Sequence, residues 1–163
     1  MENLPRWLFT SLVSHFETVA SNNSIPYFVE GVDERDDSKM QASHAEMRVT
    51  GPNIKEHSKD WYHVEVVANV LLTSFMDTTG NAYEIVQWSG VFQKEMLEPI
   101  PVYKNGTGAQ DTGDLIGCLR PKGDRNYAVK LFHFGQVDMT DRVRQSELDC
   151  IYEMDVTTDM VGS

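Results

Sequence analysis

The chain has 163 residues, with 14 Lys plus Arg against 25 Asp plus Glu and a formal net charge of −11. That length fits one domain, and 40% hydrophobic with 10% aromatic residues exclude a disordered or collagen-like chain. The acid excess disfavours ordinary phosphate-backbone binding and docking on an anionic membrane leaflet, both of which need clustered Lys and Arg.

The opening Met1-Glu2-Asn3-Leu4-Pro5-Arg6 has neither the basic start nor the apolar core of a signal peptide. Residues 5 to about 20 then read as a helix, because Leu4, Leu8, Leu12 and Phe16 recur at i+4 with Trp7 and Val19 on the flanks. Pro5 suits a first turn, and the polar Asn22-Asn23-Ser24 ends the pattern. Residues 25–31 read as a short strand, placed at an edge by Pro26. Residues 33–43 are polar and without period, which predicts a mobile loop. Ala45, Met47 and Val49 alternate with polar neighbours, a half-buried strand that Gly51-Pro52 should close.

The longest strand signal covers residues 61–75. Tyr62, Val64, Val66, Ala68, Val70 and Leu72 share one face, and His63, Glu65, Asn69 and Thr73 dominate the other. Val64 to Phe75 is also the longest apolar-rich stretch, but Glu65 and Asn69 break it, so it cannot span a membrane. Asp77-Thr78-Thr79-Gly80 predicts a turn. Asn81 and Glu84 resemble a capping pair for a second helix to about Leu97, with Ile85, Trp88, Phe92 and Met96 on its apolar face.

Beyond Pro99 every signal is strand: 100–103, 115–119, 127–137 and 144–156. A glycine-bearing loop, 105–113, separates the first two. No linker or repeat divides the chain, so we expect one domain over 1–163 with flexible loops at about 33–43 and 104–114. The order α-β-β-β-α-β-β-β-β predicts an α+β fold, a mainly antiparallel sheet with two helices packed against it.

The chemistry-bearing residues do not converge. His63 and Glu65 could both reach one ion, but no third ligand is close in sequence, and His15, His44, His57 and His133 are scattered. A solvated sheet face is the expectation there, with no metal and no cofactor. The acids Glu30, Asp33, Glu34, Asp36 and Asp37 lack the spacing and the glycine turn of a calcium loop. Gly106-Thr107-Gly108 lacks the Lys-Ser/Thr ending of a phosphate cradle, and no nucleophile elbow is present. Cys118 and Cys150, far apart, suit a reducing compartment. No catalytic residue is identified, and the chain is expected not to be an enzyme.

The last strand is the most informative. Glu147, Asp149, Glu153 and Asp155 fall on one parity, interrupted by Ile151; Leu148, Cys150, Tyr152, Met154 and Val156 fall on the other. A merely soluble outer face accounts for the acids. The sharper reading is the wall of an aqueous channel through which a polyanion passes without sticking.

Several phrases resemble small structural proteins of tailed bacteriophages, nearest in element order to the neck and tail-terminator group. They are the Trp7 helix, Pro26-Tyr27-Phe28-Val29-Glu30-Gly31, the long strand from Trp61, Ile100-Pro101-Val102-Tyr103-Lys104, Leu115-Ile116-Gly117-Cys118-Leu119, Phe134-Gly135-Gln136 and the closing amphipathic strand. The resemblance implies a virion protein made in the host cytoplasm that closes into a ring, usually a hexamer. Such a ring joins the head connector or adaptor to the tail tube and leaves a lumen for DNA, which passes without specific binding. It transfers no catalytic residue. With it, Glu147, Asp149, Glu153 and Asp155 are expected to face the lumen. Two other readings remain open. One is a cone-shaped, nuclear-transport-factor-2-like ligand-binding domain or small enzyme, with Trp61, His63 and Glu65 in its pocket. The other is a tail-tube or adaptor protein.

Overall fold

The computed structural model describes residues 2–33, 43–76, 84–104, 113–122, 130–134 and 142–161, with 75, 76, 130–134 and 142–144 through their backbone alone. The elements are α1 (Leu4–Asn22), β1 (Tyr27–Val29), β2 (His44–Ser58), β3 (Trp61–Met76), α2 (Glu84–Met96), β4 (Ile100–Tyr103), β5 (Leu115–Pro121), β6 (Lys130–Phe134), β7 (Arg142–Thr157) and α3 (Thr158–Val161). The fold is α+β. The order expected from the sequence is followed through β7, and a short third helix comes after it. The expected loops, the Asp77-Thr78-Thr79-Gly80 turn and the Asn81 cap lie wholly or largely outside the described residues, as do the ends of the strand expected over 127–137.

The seven strands form one sheet in the order β1-β2-β3-β7-β5-β4, with β6 also on β7. β1 lies parallel to β2 and every other pairing is antiparallel, so the sheet is mixed. β3 and β7 pair over their whole length, from Trp61 opposite Thr157 to Met76 opposite Arg142. β5 and β6 share the far edge of β7, at Tyr152–Glu153 and at residues 143–147 respectively.

β2 corrects one expectation. Gly51-Pro52 does not close the strand but sits inside it, where Thr50 pairs with Val67 and Asn53 with Glu65, leaving two residues against the single Val66. Such a bulge absorbs the residue that cannot donate to the ladder. Gly51 has φ +103, and a Cβ there would lie 3.3 Å from the Glu65 carbonyl oxygen. Only glycine takes that turn without strain.

The helices fill the inside of the curl. α1 touches β1 and β2 at one end of the sheet and β4 at the other, so the sheet must bend around it; α2 lies across β3 and β7 and against α1. The i+4 stripe of α1, Leu4, Leu8, Leu12 and Phe16, is fully buried, as are Ile85, Phe92 and Met96 of α2. They meet Val64, Val66, Ala68, Val70 and Leu72 of β3 and Leu148, Cys150, Tyr152, Met154 and Val156 of β7. Burying such a side chain contributes about 1.5–3 kcal/mol, so this inner face carries the fold. Hydroxyls buried here are satisfied: Tyr152 donates to the Met96 carbonyl at 3.1 Å, and Ser89 of α2 lies 2.8 Å from the Ser146 hydroxyl of β7.

Candidate functional site

Because strand residues alternate, the same pairing that buries the even-numbered side chains of β3 and β7 sends the odd-numbered ones outward in register. The outer rungs are His63–Asp155, Glu65–Glu153, Val67–Ile151, Asn69–Asp149 and Leu71–Glu147. The parity read from the sequence for Glu147, Asp149, Glu153 and Asp155 is therefore the parity of the face turned away from the helices. Ile151, 46% exposed, divides that face into two polar groups.

The first group holds Glu147 and Asp149. The Asn69 side-chain amide donates to Glu147 Oε1 at 2.7 Å and also to Asp149 Oδ1, so one neutral residue serves two carboxylates. The second group centres on His63. Its Nδ1 lies 2.8 Å from Asp155 Oδ1, and its Nε2 lies 3.4 Å from both Glu65 Oε1 and Glu153 Oε2. Glu65 and Glu153 stand directly opposite each other, a pairing that repels by itself. Lys122, just past β5, donates to Glu65 and offsets that repulsion. The hydrogen bond to Asp155, helped by the Asp155 and Glu153 charges and a hydrogen bond to Glu65, holds the His63 imidazole above its ordinary pKa of 6.5. The Lys122 hydrogen bond and charge hold the Glu65 carboxyl below the usual range.

The acid row is thus not a bare wall. His63, Lys122 and Asn69 answer it rung by rung. Beside the second group is a cavity of about 330 Å³ lined by His63, Cys118, Arg120, Glu153, Met154 and Asp155. Sequence reasoning paired His63 with Glu65 and found no third group near them. The third group, Glu153, comes from β7, whose register no local pattern announces. Lys122 and Arg120 carried no signal either, since β5 meets β7 only at its end.

The remaining candidates have structural duties or stay apart. Asp33 Oδ2 accepts the Val29 N–H at 2.7 Å and Glu30 pairs with Arg48 at 3.0 Å, whereas Glu34, Asp36, Asp37 and the Gly106-Thr107-Gly108 loop lie outside the described residues. His57 stacks on Trp61 with ring centroids 4.9 Å apart, at the turn end of the β2–β3 hairpin. His15 pairs with Glu95 at 3.5 Å, and burial lowers its pKa. Cys118 and Cys150 are not joined in a disulfide. No described helix is long and apolar enough to cross a membrane.

No family model and no curated protein matches the chain. A solved structure of 10% identity covers 94% of this chain and 96% of its own at a TM-score of 0.46, an overlap too loose to argue from.

Proposed function

We propose that this chain is a structural protein of a tailed-bacteriophage virion, a tail terminator or head–tail neck component that closes into a ring around a passage for DNA. The observation that carries the reading is the outer face of the two longest strands, which is left partly exposed among the described residues. Their inner face packs into one core with residues of α1 and α2, yet the outer one carries Ile151 at 46% exposure between the Glu65–Glu153 and Asn69–Asp149 rungs, and Trp61 at 42% at the hairpin end. A large apolar side chain such as Ile151 left exposed in the middle of a sheet suits a subunit whose neighbours complete it. The strand edges agree. β1 is three residues long and its last N–H is taken by Asp33, and β4 carries Pro101, both devices that blunt an edge. The far half of β2, Asn53 to Ser58, pairs only with β3 among the described residues. Closed cyclic symmetry would cover such an edge.

The inside of the curl also bears on the cone-shaped alternative. A ligand-binding cone keeps a pocket within its sheet, and here Phe16, Phe92 and Tyr152 fill that space while His63 and Glu65 point the other way. The partners that follow from the proposal are further copies of the chain, the head connector or adaptor, the tail tube, and DNA in transit.

Native mass spectrometry with negative-stain imaging tests the ring. The expected result is a closed ring, a hexamer as in the family it resembles; a strictly monomeric mass at tens of micromolar, unchanged by tail-tube protein, would overturn it. The lumen assignment has its own test. Glu147→Lys with Asp149→Lys should create salt-sensitive DNA binding where the parent has none, because lysines release counterions from phosphates. Normal assembly without any gain in DNA affinity at low salt would put this face outside the passage.

A further inference from the structure

We propose that His63, Glu65 and Glu153 form a binding site for one divalent transition cation of the zinc class, with Asp155 orienting the imidazole. The three offer one nitrogen and two oxygens that lie within 4.8 Å of one another. This is a mixed donor set drawn from two strands, and its spacing is specific. A tetrahedral ion with bonds of ~2.0–2.2 Å needs ligand atoms roughly 3.3–3.6 Å apart. His63 Nε2 stands 3.4 Å from Glu65 Oε1 and 3.4 Å from Glu153 Oε2. Two of the three edges of the ligand triangle therefore already have the length that a zinc-sized ion requires.

The imidazole is also turned the right way. Asp155 Oδ1 sits 2.8 Å from Nδ1, so the proton of the neutral ring belongs on Nδ1 and the lone pair of Nε2 faces the two glutamates. A carboxylate behind a ligating histidine fixes both tautomer and ring orientation. Three protein ligands leave a fourth position open. The cavity of about 330 Å³ beside Glu153, with Arg120 and Cys118 in its wall, gives room for water or a small anion at that position. Lys122 is the built-in competitor, since its ammonium holds the same Glu65 oxygen that the ion would take. The imidazole nitrogen and the tetrahedral spacing select against Mg²⁺, which prefers six octahedral oxygen ligands and keeps its waters.

The test is calorimetric titration of chelator-treated protein with ZnCl₂, at mildly alkaline pH to favour the neutral imidazole, with MgCl₂ in parallel. One Zn²⁺ per chain is expected, with no heat from Mg²⁺. His63→Ala and Glu153→Gln should each abolish that binding, and Asp155→Asn should weaken it by roughly 10–100-fold through loss of orientation. Lys122→Ala should bind more tightly than the parent, a direction that no merely structural role of the cluster predicts. Circular dichroism checks that each variant folds, and Co²⁺ substitution should give the visible absorption of a tetrahedral site. Absence of a stoichiometric site, or binding at parental affinity in folded His63→Ala, would overturn the proposal and leave a protonated imidazole as the sole bridge between the carboxylates. Neither outcome depends on whether the chain forms a ring.

Discussion

The two faces of the β3–β7 pair share one backbone and one register, yet they are held by different physics. Inside, Val64, Val66, Ala68, Val70, Leu72 and Tyr152 are at most 1% exposed and share one core with residues of both helices. Outside, the rungs next to them are charged, half-exposed and joined by hydrogen bonds that water can replace. Stability resides in the first face, and specificity of contact in the second. Substitutions should therefore separate cleanly: inner changes should alter folding, outer ones binding and assembly.

The strongest way to break the contrast is Tyr152→Lys. It places an unpaired ammonium where exposure is 0%, and no soluble folded protein is expected by circular dichroism or size-exclusion chromatography. Phe92→Ala keeps the face apolar but leaves a cavity, and should cost about 3–5 kcal/mol in urea unfolding. Gly51→Ala lies between the faces, at the bulge. With φ +103 and the Glu65 carbonyl oxygen 3.3 Å from the new methyl, it should cost about 1–3 kcal/mol, read in the same way. The outer double change Glu147→Lys with Asp149→Lys should move monomer stability by under ~1 kcal/mol, since exposed pairs contribute little.

The smallest effect is the sharpest in sign. His63 has its folded pKa raised above the unfolded value, chiefly by the Asp155 hydrogen bond. Its contribution is therefore fully present below the unfolded pKa near 6.5 and is lost as pH rises through the folded value. NMR titration of the ring should give a midpoint above 6.5, and Asp155→Asn should bring it down towards that value. A midpoint unmoved by Asp155→Asn would mean that the neighbouring glutamates alone set the charge of the ring.

The inner face was legible in the sequence because alternation over a long strand is a strong signal, and so was the α1 stripe. Pro26 also marked its strand as an edge, and β1 is one. Gly51-Pro52 misled, because the same two residues that close a strand also make a bulge within one; the choice depends on whether β3 continues opposite. The outer face was half legible. Parity grouped His63 with Glu65, and Asp149 with Glu153, but only the register of two strands far apart in sequence joins the two sets. Lys122 enters through the tip of β5, a contact that no periodicity encodes.

That separation in sequence has a consequence for synthesis. β3 is central in the finished sheet, but its neighbour β7 leaves the ribosome last among the strands, after α2, β4, β5 and β6. Until then one whole edge of a 16-residue, valine-rich strand stands open. Closing so non-local a pairing is slow, and an open apolar edge is where chains join one another wrongly. The nascent protein thus presents a sticky strand for about half of its translation, and the outward His63, Glu65 and Asn69 are the polar groups that keep that strand in solution until its partner arrives.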